Sequence, residues 1–311
     1  MRPADLGDTG QGSLFGRAQY RGGADPAVAQ LLESFGCPYH PGAKIGEGSM
    51  ARVYFGTHRR SGRPAAIKVP KGGPWAVDRF RREVDVMDKL DHPHVMPLLE
   101  ADPERRWYAM PWAEYSLADM HRRDPLDWPG LHRALCSVTG GMMHAHANDC
   151  IHRDASPANV LRLQNSHWAL SDFGIAKIFG RAPMATRSNE HFGTPDFSAP
   201  EVYADPSNAT SAADAWSIGA LASWYTGLLP GKPPRSSQDE IWLELIEHTM
   251  RRNPSERWSI PEITSYLNAI VVDRPLLEGR AILLDICPRC GQSAGRDSAE
   301  RCRRCGFLAE A

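Results

Sequence analysis

A lysine inside an apolar strand is costly unless its charge is paired, and Lys68 sits in such a run, Ala65-Ala66-Ile67-Lys68-Val69. The obvious partner is Glu83, in the Arg81-Arg82-Glu83-Val84 stretch of the helical segment that follows. Two readings are open at this point. One is a Lys–Glu pair that aims the ammonium at nucleotide phosphates. The other is a strand-edge lysine whose stem lies on apolar surface while its head reaches water. The run Ile45-Gly46-Glu47-Gly48-Ser49-Met50-Ala51-Arg52-Val53 ends fifteen residues before Lys68. Glycines there let backbone N–H groups approach phosphate oxygens, because no side chain intrudes. The run fits G-x-G-x-x-G-x-V except that Ala51 stands at the third glycine. It lies between two strand-like segments and not before a helix, which disfavours a dinucleotide-binding turn. A plain hairpin is the alternative.

A longer constellation follows. Ile151-His152-Arg153-Asp154-Ala155-Ser156-Pro157-Ala158-Asn159-Val160-Leu161 is succeeded, eleven residues beyond Leu161, by Asp172-Phe173-Gly174. Gly193-Thr194-Pro195-Asp196-Phe197-Ser198-Ala199-Pro200-Glu201 comes next. In order these match H-R-D-x-x-x-x-N, D-F-G and A-P-E. With Gly46, Gly48, Lys68 and Glu83 in register ahead of them, the sequence resembles the protein kinase family over residues 39–272.

That resemblance implies an α+β, bilobal fold, with a small β-rich N-lobe (residues 39–113) and a larger helical C-lobe (residues 114–272). It implies ATP-dependent transfer of the γ-phosphate to serine or threonine hydroxyls of protein substrates, with autophosphorylation. The barrier to such a reaction falls mainly through positioning and electrostatic stabilisation. By resemblance, Asp154 would accept the substrate hydroxyl proton. Asn159 and Asp172 would hold Mg²⁺, a cation suited to hard oxygen ligands. Lys68, held by Glu83, would contact the α- and β-phosphates. Ile45, Gly46, Gly48, Val53, Ala66, Met110, Ala113 and Leu161 would complete the nucleotide site. Met110 would lie behind the adenine, the backbone near Ala113 would hydrogen-bond it, and Val53, Ala66 and Leu161 would sandwich it. His152, Phe173 and Met87 are similar to members of a hydrophobic stack joining the lobes. Asp214 would begin the central buried helix, and Arg257 would pair structurally with Glu201.

One position departs from the pattern. Serine/threonine kinases carry a lysine two residues after the catalytic aspartate, where this chain has Ser156. Losing one such donor costs about 3–4 kcal/mol, or about 10²–10³ in rate. Tyrosine kinases also lack that lysine, while Gly193-Thr194-Pro195 resembles the serine/threonine class. The alternative is a pseudokinase scaffold that binds nucleotide with little or no catalysis. A small-molecule phosphotransferase is disfavoured by the intact 193–201 segment and Arg257. Arg153 suggests a basic pocket for a phosphorylated Thr186 or Ser188, ahead of Thr194; the plain reading of these residues is solvated loop hydroxyls.

Four of the seven cysteines lie near the C-terminus, as Cys287-Pro288-Arg289-Cys290-Gly291 and Cys302-Arg303-Arg304-Cys305-Gly306, with eleven residues between Cys290 and Cys302. Four thiolates at this spacing favour a closed structural Zn²⁺ site, and the tail resembles a zinc ribbon. So short a segment should fold only with metal. Residues 280–311 carry six arginines against four acids, too modest an excess to favour nucleic acid over protein contact.

The elements that must position these groups follow from the patterning. The 311 residues are 42% hydrophobic and 23% charged, which excludes a wholly disordered chain. A net charge of −1 argues against a nucleic-acid or membrane-surface role. No apolar run approaches the ~20 residues of a membrane span. Met1-Arg2-Pro3-Ala4-Asp5-Leu6 lacks a secretory layout, so the expected home is the cytoplasm. Residues 1–38 read as a flexible leader with a short helical stretch around Ala27 to Phe35, and residues 273–311 as linker and zinc ribbon. Strands are expected between Tyr39 and Val69, and helices over Asp78–Leu90, Pro129–Asn148, Ala212–Gly227 and Ile241–Met250. Trp75, Trp128, Trp168, Trp224 and Trp242 read as packing aromatics, and His144 and His146 as structural or exposed.

Overall fold

Alternation along one strand decides which side chains face the cleft. The computed structural model describes residue 23 and residues 25–163, 167–174, 176–178 and 194–270. Helix α1 (Pro26–Ser34) precedes the strands β1 (Tyr39–Glu47), β2 (Ala51–His58) and β3 (Pro64–Pro70). Helix α2 (Pro74–Met87) follows, then β4 (Glu100–Ala101) and β5 (Tyr108–Pro111). The five strands form one antiparallel sheet in the order β1-β2-β3-β5-β4. Successive strand residues point to opposite faces. Ala65, Ile67 and Val69 therefore pack with Leu32 of α1 and with Tyr39, Tyr54 and Trp107, while Ala66 joins the cluster containing Phe80 and Val84 of α2. Lys68 shares the face of Ala66, so the alternation itself points it at α2.

Helix α1 occupies the last third of the expected leader. Asp25 Oδ1 accepts from the Ala27 N–H at 3.0 Å, Pro26 opens the helix, and Leu32 is completely buried. The chain upstream of residue 23 lies outside the described residues, as do residues 271–311 with the expected linker and the four tail cysteines. Helix α2 begins four residues before the expected Asp78, because Pro74 starts it directly after Gly72 and Gly73, both at positive φ. Its buried Phe80, Glu83, Val84 and Met87 recur at helical spacing.

The second lobe contains β6 (Ala113–Ser116), α3 (Leu117–Arg123), α4 (Trp128–Ala147), β7 (Cys150–Ile151), β8 (Val160–Leu163), β9 (Trp168–Leu170) and β10 (Lys177–Ile178). Helices α5 (Pro200–Ala204), α6 (Ser211–Thr226), α7 (Ser237–Thr249) and α8 (Ile260–Ala269) complete it. β6, β8 and β9 make a small sheet, and β7 pairs with β10. Helix α6 is buried along most of its length and stops at Gly227, whose φ of 70° is the left-handed cap glycine allows. Helices α3 and α8 were not anticipated, although each opens with a capping box, Ser116 with Asp119 and Ser259 with Glu262. Among the described residues, no helix is long and apolar enough to cross a membrane.

Leu32 is the side chain that fastens α1 to the sheet. Leu32→Ala is expected to cost about 2–5 kcal/mol, the usual range for a buried leucine truncation. Thermal denaturation of the full chain checks this, with a lowered midpoint as the expected result.

Candidate active site

Lys68 is paired and buried, which rules out a lysine whose head reaches water. Only 8% of its side chain is exposed, and its Nζ lies 2.7 Å from Glu83 Oε1 and 3.2 Å from Asp172 Oδ1. Burial alone would strip its proton, but the carboxylates of Asp172 and Glu83 outweigh burial and hold its pKa well above the ordinary lysine value. Burial likewise opposes ionisation of Asp172, and Lys68 overcomes it, so this carboxyl titrates below its ordinary value. Glu83 is pushed up, mainly by burial. Its Oε1 also accepts a hydrogen bond of 2.8 Å from the Tyr108 hydroxyl, a partner that the sequence did not suggest.

The loop after β7 is held from below by one buried carboxylate. Asp214, at the start of α6, accepts from the His152 N–H at 2.9 Å and the Arg153 N–H at 2.8 Å. His146 Nε2 lies 2.7 Å from its Oδ2. His146 is thus structural in a specific way; its partner is 68 residues distant, beyond the reach of any local spacing argument. Arg153 and Asp172 both sit at positive φ, 69° and 64°, which is uncommon outside glycine and is strain held by surrounding bonds. His152 is completely buried, stacks edge-on against Phe173 at 4.6 Å, and reaches the Ser171 carbonyl through Nε2 at 3.0 Å. Met87 is buried in the core cluster that also holds Phe173.

Asp154 is gripped on both oxygens. Oδ1 accepts from the Thr194 N–H (2.9 Å) and hydroxyl (3.0 Å), and Oδ2 accepts from Asn159 Nδ2 (3.1 Å). Burial, helped by the nearby Asp172 charge, raises its pKa to about 7 against the pull of those bonds. Asn159 Nδ2 also donates to the Asp154 carbonyl at 2.8 Å. Its amide nitrogen is therefore committed, and its oxygen is the atom left for a ligand. Asp172 Oδ1 faces Lys68 and the Gly174 N–H, which leaves Oδ2. Two hard oxygens beside a 38%-exposed carboxylate fit Mg²⁺, which takes few protein ligands and keeps water and phosphate oxygens for the rest. Among the described residues, no group of three or more His, Cys, Asp or Glu side chains gathers as a metal site.

The expected nucleotide residues come together. Ile45, Ala66, Met110, Ala113 and Leu161 are buried in one cluster, with Val53 packed against it. Val53 lies opposite Lys68 in the β2–β3 ladder, and Ala66 opposite Met110 in the β3–β5 ladder. Gly46 pairs with Val53. A side chain at Gly48 would meet nothing within 4 Å, and its φ is not left-handed. The fold thus does not itself demand glycine there. Ala51 is a buried strand residue opposite Pro70, so the fold accommodates a side chain at that departure from the glycine pattern. Trp112 lies between β5 and β6, in the segment that the resemblance makes the hinge between lobes, and stacks edge-on against Phe55 at 4.9 Å.

Ser156 is 2% exposed and its N–H bonds the Asp154 carbonyl at 2.9 Å; a serine there brings no positive charge. Arg257 meets Glu201 with two parallel bonds of 2.7 and 2.8 Å, as expected. Burial and the adjacent Arg79 lower the Arg153 pKa to about 10, and its Nη1 donates to the Pro206 carbonyl at 3.2 Å. Thr186 and Ser188, the expected phosphate acceptors, lie outside the described residues, as do Cys287, Cys290, Cys302 and Cys305.

Comparison with known proteins agrees with this geometry. The protein kinase domain pattern matches residues 39–241, about two thirds of the chain, and the protein belongs to the protein kinase family. Its β-sheet N-lobe and helical C-lobe are the bilobal architecture of that family. It is 31% identical over 245 residues to the serine/threonine-protein kinase fused of Drosophila melanogaster, covering 76% of this chain and 29% of that protein. It is 28% identical over 246 residues to CBL-interacting serine/threonine-protein kinase 20 of Arabidopsis thaliana, covering 76% and 55%. It is also 28% identical to cysteine-rich receptor-like protein kinase 25 of Arabidopsis thaliana, covering 82% and 45%. The chain thus spans from under a third to just over half the length of these relatives.

Removing the Asp214 carboxylate strands two buried N–H groups and His146. Asp214→Ala is expected to destabilise the protein by about 3 kcal/mol, since each buried donor left unmade costs about 1–3 kcal/mol. Urea denaturation followed by tryptophan fluorescence measures it.

Proposed function

We propose that this protein is an ATP-dependent kinase that transfers the γ-phosphate to serine and threonine hydroxyls of protein substrates, its own chain included. The observation that carries the reading is the setting of Asp154, held by Thr194 and Asn159 beside the Asp172–Lys68–Glu83 charges. In this reading Asp154 orients the substrate hydroxyl and takes its proton as the oxygen attacks phosphorus. Lys68, kept charged by its two carboxylates, draws the α- and β-phosphates into line. The open turn at Gly46 and Gly48 lets backbone N–H groups close over the phosphate chain. Asn159 and Asp172 would hold Mg²⁺, whose charge neutralises the phosphate oxygens when it is bound. The apolar shelf of Val53, Ala66 and Leu161 would hold the adenine, with Met110 behind it and the Ala113 backbone bonding its edge. The position of Ser156 lowers the charge available to the transferring group and leaves the other parts intact, so catalysis is reduced in rate and not removed.

For the C-terminal segment, we propose a zinc ribbon built on Cys287, Cys290, Cys302 and Cys305, supported by the spacing of the two pairs and the glycine after each. Its role is contact with protein more than with nucleic acid. Cys37, Cys136 and Cys150 are free thiols, which suits a reducing cytoplasm.

Intact-mass spectrometry after incubation with Mg²⁺-ATP tests the activity. The wild type should gain one or more phosphates and Asp154→Asn none; a wild type that binds nucleotide yet modifies neither itself nor any protein substrate overturns the reading. Because Asp154 serves only when ionised and its pKa is raised to about 7, kcat/KM should climb as pH rises through about 7 and level off above it. An ordinary carboxylate would give a flat profile from pH 6 upward. Metal analysis of the purified chain should return one zinc per molecule, falling to none when the four tail cysteines are changed to serine.

A further inference from the structure

We propose that Tyr108 is a positioning residue of this site, sharing with Lys68 the grip on one oxygen of Glu83 and so keeping that carboxylate turned toward β3. The inference deepens the kinase reading and rests on it for its functional consequence.

The geometry is local and complete. Tyr108 stands directly opposite Lys68 in the β3–β5 ladder, so the two side chains share one face of the sheet. Its hydroxyl donates to Glu83 Oε1 at 2.8 Å, the same atom that takes Lys68 Nζ at 2.7 Å. Glu83 Oε2 is buried and has no hydrogen-bond partner among the described residues. Among the described residues, the hydrogen bonding this carboxylate receives therefore enters through Oε1, from one charged donor and one neutral donor. The phenol is not free to turn away. Tyr108 is 1% exposed, and its ring packs on Phe80 of α2 with centroids 5.3 Å apart.

The charged and titratable groups facing Glu83 are Lys68 on β3, Tyr108 on β5 and Asp172 after β9. Arg79, on the same helix, is directed instead to the Gly174 carbonyl at 3.3 Å. Burial and the Asp172 charge favour protonation of Glu83, and the two donors oppose it. Without the phenol, Lys68 alone holds Oε1, so the carboxylate gains freedom to turn and aims the ammonium less firmly.

Tyr108→Phe keeps the ring and its packing while removing the donor. The probe is labelling of Lys68 by an amine-reactive reagent in the full chain without nucleotide, read by peptide mass spectrometry at one fixed pH. Lys68 should be modified about tenfold faster in the variant, the order of effect for one lost hydrogen bond to a charged group. The thermal midpoint should fall by only a few degrees because the ring packing is kept, and KM for Mg²⁺-ATP should rise more than kcat falls. In a Glu83→Gln background the same change should add nothing, because the two act as one unit. An unchanged labelling rate, or an equal acceleration in the Glu83→Gln background, overturns the proposal. A wild type that transfers no phosphate would count against the kinase reading alone, since labelling still decides the role of Tyr108.

Discussion

A lysine, a glutamate and an aspartate meet where the two lobes touch, and the positions of three separate segments answer to that meeting. Isolated, any one of these charges would be expelled from the interior or neutralised. Together they persist, because Lys68 lies 2.7 Å from Glu83 and 3.2 Å from Asp172. The pairing ties β3, α2 and the segment after β9 to one another. It also explains why α2 must present Glu83 on the face that carries Phe80, Val84 and Met87. A rotation of the helix by one residue would bury a charge against apolar side chains and leave Lys68 with a single partner.

The second anchor lies below the first and acts on backbone instead of side chains. Asp214 takes the N–H groups of His152 and Arg153, and those bonds help hold Arg153 in a left-handed conformation that a non-glycine residue seldom adopts. That turn delivers Asp154 to Thr194 and Asn159. Backbone strain at Arg153 and a raised carboxyl pKa at Asp154 thus fall on neighbouring residues. This clustering is what separates a site built for chemistry from a merely charged crevice.

The apolar parts of the molecule are arranged around these polar ones. β3 is buried on both faces, by α1 through Ala65, Ile67 and Val69 and by the main core through Ala66. Rigid strands on either side leave Lys68 little freedom to search for other partners. The same rigidity fixes Val53, Ala66 and Met110 on adjoining strands in one register.

Motif order made the family and the two lobes legible without coordinates, and it named the side chains that the fold gathers around Asp154, Asp172 and Lys68. That was so because phosphoryl transfer needs particular side chains on particular elements, and the elements are announced by short-range periodicity. The period of two in β3 and of 3.6 in α2 were enough to face Lys68 and Glu83 toward each other. Capping boxes at Ser116 and Ser259 carried a local signal for α3 and α8 as well. Tertiary structure alone decided the rest. That Tyr108 would donate to Glu83, that His146 would reach Asp214, and that Thr194 would grip Asp154 are contacts across 25, 68 and 40 residues of chain. No periodicity encodes such pairs; they exist only once packing has brought distant strands and helices within hydrogen-bond reach and removed the water that would otherwise satisfy them.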